Sequence, residues 1–192
     1  MKKTAVIFPG VGYTKDRPLL YYSGKLAVKY GYELKHLDFT GLDWSKEKLK
    51  DKGFLNEALN RCLDITDKEL NNSDCFKKRD VIFISKSIGT VVATAYAKKH
   101  SVKAVQICFS PLEMIEDYVD VSGAYLFCGD NDPYADYGLI EKIADKKTLA
   151  IYRIEGGNHS LETGDIHKDI NNIGYIIGCV EQILNKQDIS EC

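Results

Sequence analysis

Val81-Ile82-Phe83-Ile84-Ser85-Lys86-Ser87-Ile88-Gly89-Thr90 carries an apolar run into a turn of small residues and out again into a helical pattern, with Ser87 at the apex. A short apolar run closed by a turn signal reads as a buried strand. A serine on a tight strand-to-helix turn is the arrangement of a nucleophile elbow: its hydroxyl stands clear of the sheet, and the next backbone N–H points at a substrate oxygen. The usual pattern is G-x-S-x-G, because strand and helix approach closely and only very small side chains fit two residues either side of the nucleophile. Here it is Ser85-x-Ser87-x-Gly89.

Outward from this point, β-rich apolar runs alternate with helical patterns, which predicts a mainly parallel sheet covered by helices on both faces. Strands are expected near Thr4 to Phe8, Glu33 to Asp38, Val81 to Ile84, Val102 to Phe109, Ala124 to Cys128 and Leu149 to Ile154. Helices are expected over Leu19 to Tyr30, Lys46 to Leu70, Ile88 to Lys99, Leu139 to Ala144 and Ile166 to Leu184. The expected fold is an α/β/α sandwich of about six strands, forming one domain over residues 1–192.

Two later runs end in residues that a serine nucleophile needs. Asp132 follows Leu126-Phe127-Cys128-Gly129, and His159 follows Ile151-Tyr152-Arg153-Ile154 in the loop Gly157-Asn158-His159-Ser160-Leu161. The chain order Ser, Asp, His is that of the α/β-hydrolase triad and differs from the chymotrypsin and subtilisin orders. On these three motifs the chain resembles the α/β-hydrolase superfamily over nearly its whole length, close to its short, cap-less, dienelactone-hydrolase-like esterases. It departs in Ser85, where glycine is usual, and in Phe8-Pro9-Gly10, where many relatives have His-Gly.

The resemblance implies Ser87 as nucleophile, His159 as base and Asp132 as the acid that orients the imidazole. Asp130 competes with Asp132, since both lie in one turn, and the spacing from Gly129 favours Asp132. The oxyanion donors would be the N–H of Ile88 and, from the loop Pro9-Gly10-Val11-Gly12-Tyr13, that of Val11, with Gly12 as its neighbour. Gly12, Tyr13 and Tyr134 are the candidate substrate contacts, and Tyr21, Tyr22 and Tyr137 also fall where they would flank a pocket. Full-size relatives carry an N-terminal hairpin and a cap; here the chain opens directly into the first strand, and only Ser110 to Gly123 separates the fourth strand from the fifth. The site is therefore expected to be open.

The expected activity is cleavage of an ester, thioester or related acyl bond of a small-molecule substrate, without metal or organic cofactor. A catalytically silent hydrolase-like binding domain is the alternative, and peptidase or acyltransferase chemistry on the same scaffold is a third. The glycines of Gly10-x-Gly12 lack the third glycine of a dinucleotide fingerprint, and Lys15 lacks P-loop spacing.

Composition limits the setting. A formal net charge of −2 gives no electrostatic case for nucleic acid or an anionic membrane. No segment approaches the ~18 apolar residues of a spanning helix, and Pro9-Gly10 ends the first apolar run too early for a signal peptide. A cytoplasmic location is expected. The six cysteines form no C-x-x-C pair; Cys108 and Cys128 read as small buried hydrophobes. His36, His100 and His167 are poorly placed to meet Ser87.

Overall fold

A computed structural model describes residues 3–41, 52–70, 76, 80–119 and 123–189. Its elements run in the order β1 (Lys3–Phe8), α1 (Pro18–Lys29), β2 (Tyr32–His36), α2 (Lys52–Leu70), β3 (Asp80–Lys86), α3 (Ile88–His100), β4 (Ala104–Phe109), a 3₁₀ turn (Glu113–Asp117), β5 (Ala124–Gly129), α4 (Tyr137–Lys147), β6 (Ala150–Ile154) and α5 (Ile166–Ile189). The six strands form one sheet in the order β2-β1-β3-β4-β5-β6. Every pairing is parallel, with Ile7 opposite Ile84 and Ile84 opposite Ile107.

Strand alternation sorts the core into two layers. Ala5, Ile7, Ile82, Ile84, Ile107 and Phe109 pack with Leu19 and Leu20 of α1 and with Ile176, Val180 and Leu184 of α5. Their neighbours Val6, Phe8, Val81 and Phe83 face the other way, onto Leu59 and Cys62 of α2 and Val91, Val92 and Ala95 of α3. Further along that face, Cys108, Leu126 and Cys128 meet Ile140, Ile143 and Ala144 of α4. A sheet buried on both sides explains why its strands are continuous apolar runs rather than alternating ones.

From β1 the chain steps outward to β2 and then crosses to β3 on the other side. Loops after β1 and β3 therefore leave in opposite directions, and a crevice opens between them at the carboxyl ends of the strands, the general ligand site of doubly wound sheets.

Element ends differ from the sequence reading for local reasons. β4 starts at Ala104 rather than Val102, because Ser101 takes the left-handed conformation (φ 53°) and the Val102 N–H bonds to the Ala97 carbonyl, which makes Val102 part of the α3 cap. α4 starts at Tyr137, ahead of Leu139, because Asp136 caps it by accepting from the Leu139 N–H at 3.1 Å. α5 continues past Leu184 to Ile189. The expected start of α2, residues 46–51, lies outside the described residues. Among the described residues, no helix is long and apolar enough to cross a membrane.

Candidate active site

Ser87 separates β3 from α3 and has φ 57° and ψ −126°, a strained conformation for a residue with a side chain. Its neighbours account for the turn. A Cβ on Gly89 would overlap the backbone carbonyls of Phe8 and Pro9, so this glycine is required by the close approach of α3 to β1. Ser85 fits because it is fully buried and its hydroxyl donates to the Ile107 carbonyl of β4 at 3.1 Å, so the extra polar atom on the strand is satisfied.

The loops after β5 and β6 bring the other two residues to Ser87. His159 Nε2 lies 2.8 Å from Ser87 Oγ, and His159 Nδ1 lies 2.7 Å from Asp132 Oδ2. With Nδ1 as the donor to the carboxylate, Nε2 is free to accept from the serine hydroxyl. Asp132 is almost fully enclosed, its side chain 3% exposed, and its second oxygen accepts from the Tyr134 N–H at 2.8 Å. Burial pushes the His159 pKa below its ordinary value; the Asp132 hydrogen bond opposes this, and the nearby Lys86 cation adds to it. Tyr134 meets the imidazole edge-on, with ring centroids 5.0 Å apart.

Asp130, the competing acid, is occupied elsewhere. Its Oδ2 accepts from both Arg153 Nε (2.8 Å) and Nη2 (2.6 Å), and its Oδ1 accepts from the Gly156 N–H. The two Arg153 hydrogen bonds converging on Oδ2 are the main reason its pKa is lowered. Asp130 thus ties the β5 loop to the β6 loop, while Asp132 reaches the imidazole.

Gly10 and Tyr13 exchange two backbone hydrogen bonds, closing a tight turn with Val11 and Gly12 at its tip and Gly12 at φ 65°. Val11 and Gly12 line a cavity of about 340 Å³ together with Ser87, Ile88, Tyr134 and His159. Leu55 of α2 and Leu112, Glu113 and Met114 from the segment after β4 complete its walls. The two residues named as oxyanion donors and the serine–histidine pair therefore face one largely apolar space.

Of the candidate substrate contacts, Gly12 and Tyr134 line this cavity and Tyr13 does not. Tyr13 turns toward the α1/α5 layer, where its hydroxyl accepts from the Leu19 N–H at 3.2 Å and burial raises its pKa to about 12. Tyr21 and Tyr22 are exposed on α1, and Tyr137 bonds Glu141 and stacks beneath Arg153. The cavity walls Leu55, Leu112, Glu113 and Met114 escaped the sequence reading, as did two polar residues beside the site. Ser110, at φ 44° after β4, donates from its hydroxyl to the His159 carbonyl at 2.9 Å; nothing in a Ser-Pro pair points to a contact 49 residues away. Lys86, 1% exposed, is the other. Its signal was available: a lysine in phase with Ile82 and Ile84 on a buried strand.

No family model matches this chain, and no curated protein matches it in sequence. Solved structures do. A protein from Xanthomonas campestris pv. campestris assigned to the alpha/beta hydrolase superfamily superposes with a TM-score of 0.71 at 14% identity, covering 96% of this chain and 99% of its own. Est1E from Butyrivibrio proteoclasticus, solved with ferulic acid bound, gives 0.72 at 15% identity over 97% of this chain and 90% of its own. A lidless α/β serine hydrolase from Xanthomonas campestris gives 0.62 at 12% identity, covering 96% and 81% respectively. At such identities the likeness is one of architecture: the six-stranded parallel sheet between helices has the α/β-hydrolase fold.

Proposed function

We propose that this protein is a serine hydrolase that cleaves a carboxylic ester, thioester or related acyl bond of a small substrate through an acyl-enzyme. The observation that carries this reading is the unbroken hydrogen-bonded chain from Ser87 Oγ through the His159 imidazole to Asp132, at 2.8 and 2.7 Å, opening on an apolar cavity. A satisfied turn histidine would need neither contact.

In the first half-reaction Ser87 Oγ attacks the substrate carbonyl carbon as His159 Nε2 takes its proton. Asp132 holds the tautomer and stabilises the imidazolium. The oxyanion is received by the N–H groups of Ile88, at the positive end of α3, and of Val11. Collapse of the tetrahedral intermediate breaks the bond to the leaving group, which takes the proton from His159. Water, deprotonated by the same imidazole, then attacks the acyl-enzyme and returns Ser87. The sequence requires neither metal nor organic cofactor.

A cavity of about 340 Å³ lies at the small end of the range for small-molecule sites and suits a short acyl chain or a single aromatic ring. Net charge −2 favours a free small molecule over nucleic acid or an anionic membrane surface, and we place the activity in the cytoplasm. The test is hydrolysis of p-nitrophenyl acetate, butyrate and octanoate and of methyl ferulate by the wild type and by Ser87→Ala. Turnover of the smaller esters that disappears in Ser87→Ala supports the reading. Equal rates in both proteins overturn it.

A further inference from the structure

Lys86 lies one residue before Ser87, and strand alternation turns it onto the face covered by α1 and α5. Its stem packs under the oxyanion loop: a Cβ on Gly10 would stand 3.3 Å from Lys86 Cγ. Its Nζ is 5.2 Å from the centre of the Tyr13 ring, and Tyr13 is fixed in turn by the Leu19 N–H. Tyr13 from the β1 loop packs against this ammonium, and Asp132 from the β5 loop and His159 and Glu162 from the β6 loop lie within its electrostatic range. Among the described residues, no carboxylate lies within ion-pair distance of Nζ.

A buried ammonium without a paired carboxylate is costly, whereas methionine or leucine would fill the same space at no such penalty. A cation kept there, next to the nucleophile and within electrostatic reach of the base, points to a part in the reaction rather than in the core.

We propose that Lys86 is a positioning residue whose ammonium, packed over the Tyr13 ring one residue before the nucleophile, adds to the effect of burial in keeping the His159 imidazole unprotonated and ready to accept the Ser87 proton. The inference rests on the serine hydrolase reading above. Two cationic groups close together in a poorly solvated site oppose one another, so Lys86 holds back protonation of His159 against the pull of Asp132. Burial brings the Lys86 pKa down to about 7, with Asp132 and Glu162 opposing the shift. The ammonium is therefore charged over the acidic range in which His159 titrates, where its repulsion matters.

The test is the pH dependence of fluorophosphonate labelling of Ser87 in the wild type, Lys86→Met and Lys86→Arg, together with an NMR titration of His159 on the Ser87→Ala background. In Lys86→Met the acid limb should move to higher pH, so that the ratio of labelling rates at pH 6 and pH 8 falls about three- to tenfold. Lys86→Arg, which keeps a charge, should restore the ratio. The His159 titration should move the same way in Lys86→Met. A purely structural role would lower the rate equally at all pH values and leave the His159 titration in place, and that result overturns the proposal. Wild-type protein unlabelled at every pH would overturn the hydrolase reading instead, and the NMR titration would still decide whether Lys86 holds His159 neutral.

Discussion

The Ser110 hydroxyl donates to the main-chain carbonyl of His159 at 2.9 Å, so the end of β4 holds the loop that presents the imidazole. The same loop is closed from within by Asn158, whose side-chain oxygen accepts from the Ser160 and Glu162 N–H groups. Ser110→Ala removes the outer tie. We expect a loss of about 1 kcal/mol of stability and a fall in kcat of roughly tenfold with KM little changed, since small displacements of a base are felt in the chemical step. Steady-state kinetics with a p-nitrophenyl ester and a denaturation curve check both parts.

Ser87→Ala and His159→Ala should each lower turnover by on the order of 10⁶, because nucleophile and base act as a unit. Ser87→Gly should be equally inactive but as stable as the wild type, or up to about 1 kcal/mol more so, since glycine relieves the strain at φ 57°. Urea denaturation of the two Ser87 variants side by side isolates the backbone contribution.

Asp132→Asn should reduce kcat by on the order of 10⁴ through the wrong imidazole tautomer. Asp130→Asn should retain most of the activity and lose stability instead. Because the folded-state pKa of Asp130 is depressed by Arg153, its contribution is present above the unfolded carboxylate value and fades as pH falls through the folded one. The stability gap between wild type and Asp130→Asn should therefore close in acid. Thermal unfolding at pH 7 and pH 3 measures it.

Lys86 gives a stability prediction of the opposite sign. Its pKa is lower folded than unfolded, so between about 7 and the ordinary lysine value the unfolded chain binds the extra proton and stability rises with pH. Below about 7 both states are protonated and the whole burial penalty stands. Lys86→Met should raise Tm, most clearly at or below pH 7 and least near pH 10. A Tm below that of the wild type at pH 7 would contradict this.

Much of this was readable from the chain. The six strands follow from apolar runs that a sheet covered on both faces demands, and Ser87 from the small residues its turn requires. The spacing after Gly129, as the resemblance reads it, favours Asp132 over Asp130 without deciding between them, and only the tertiary contacts show Asp132 against His159 and Asp130 against Arg153. What escaped was set by tertiary contact. Val102 looks like strand until Ser101 turns left-handed and claims it for the α3 cap. Tyr13 looks like a pocket residue until the Gly10–Tyr13 turn points it at Leu19, under the loop rather than into the cleft. Ser110 carries no local signal, because its partner is the backbone of a distant loop.

The central claim is that Ser87 is an activated nucleophile. Labelling of the purified protein with a fluorophosphonate probe, followed by mass spectrometry of the modified peptide and with Ser87→Ala as the control, tests it directly. The account predicts a single adduct on Ser87, absent from the variant. A well-folded wild type that takes up no label, or one labelled equally in Ser87→Ala, would contradict it.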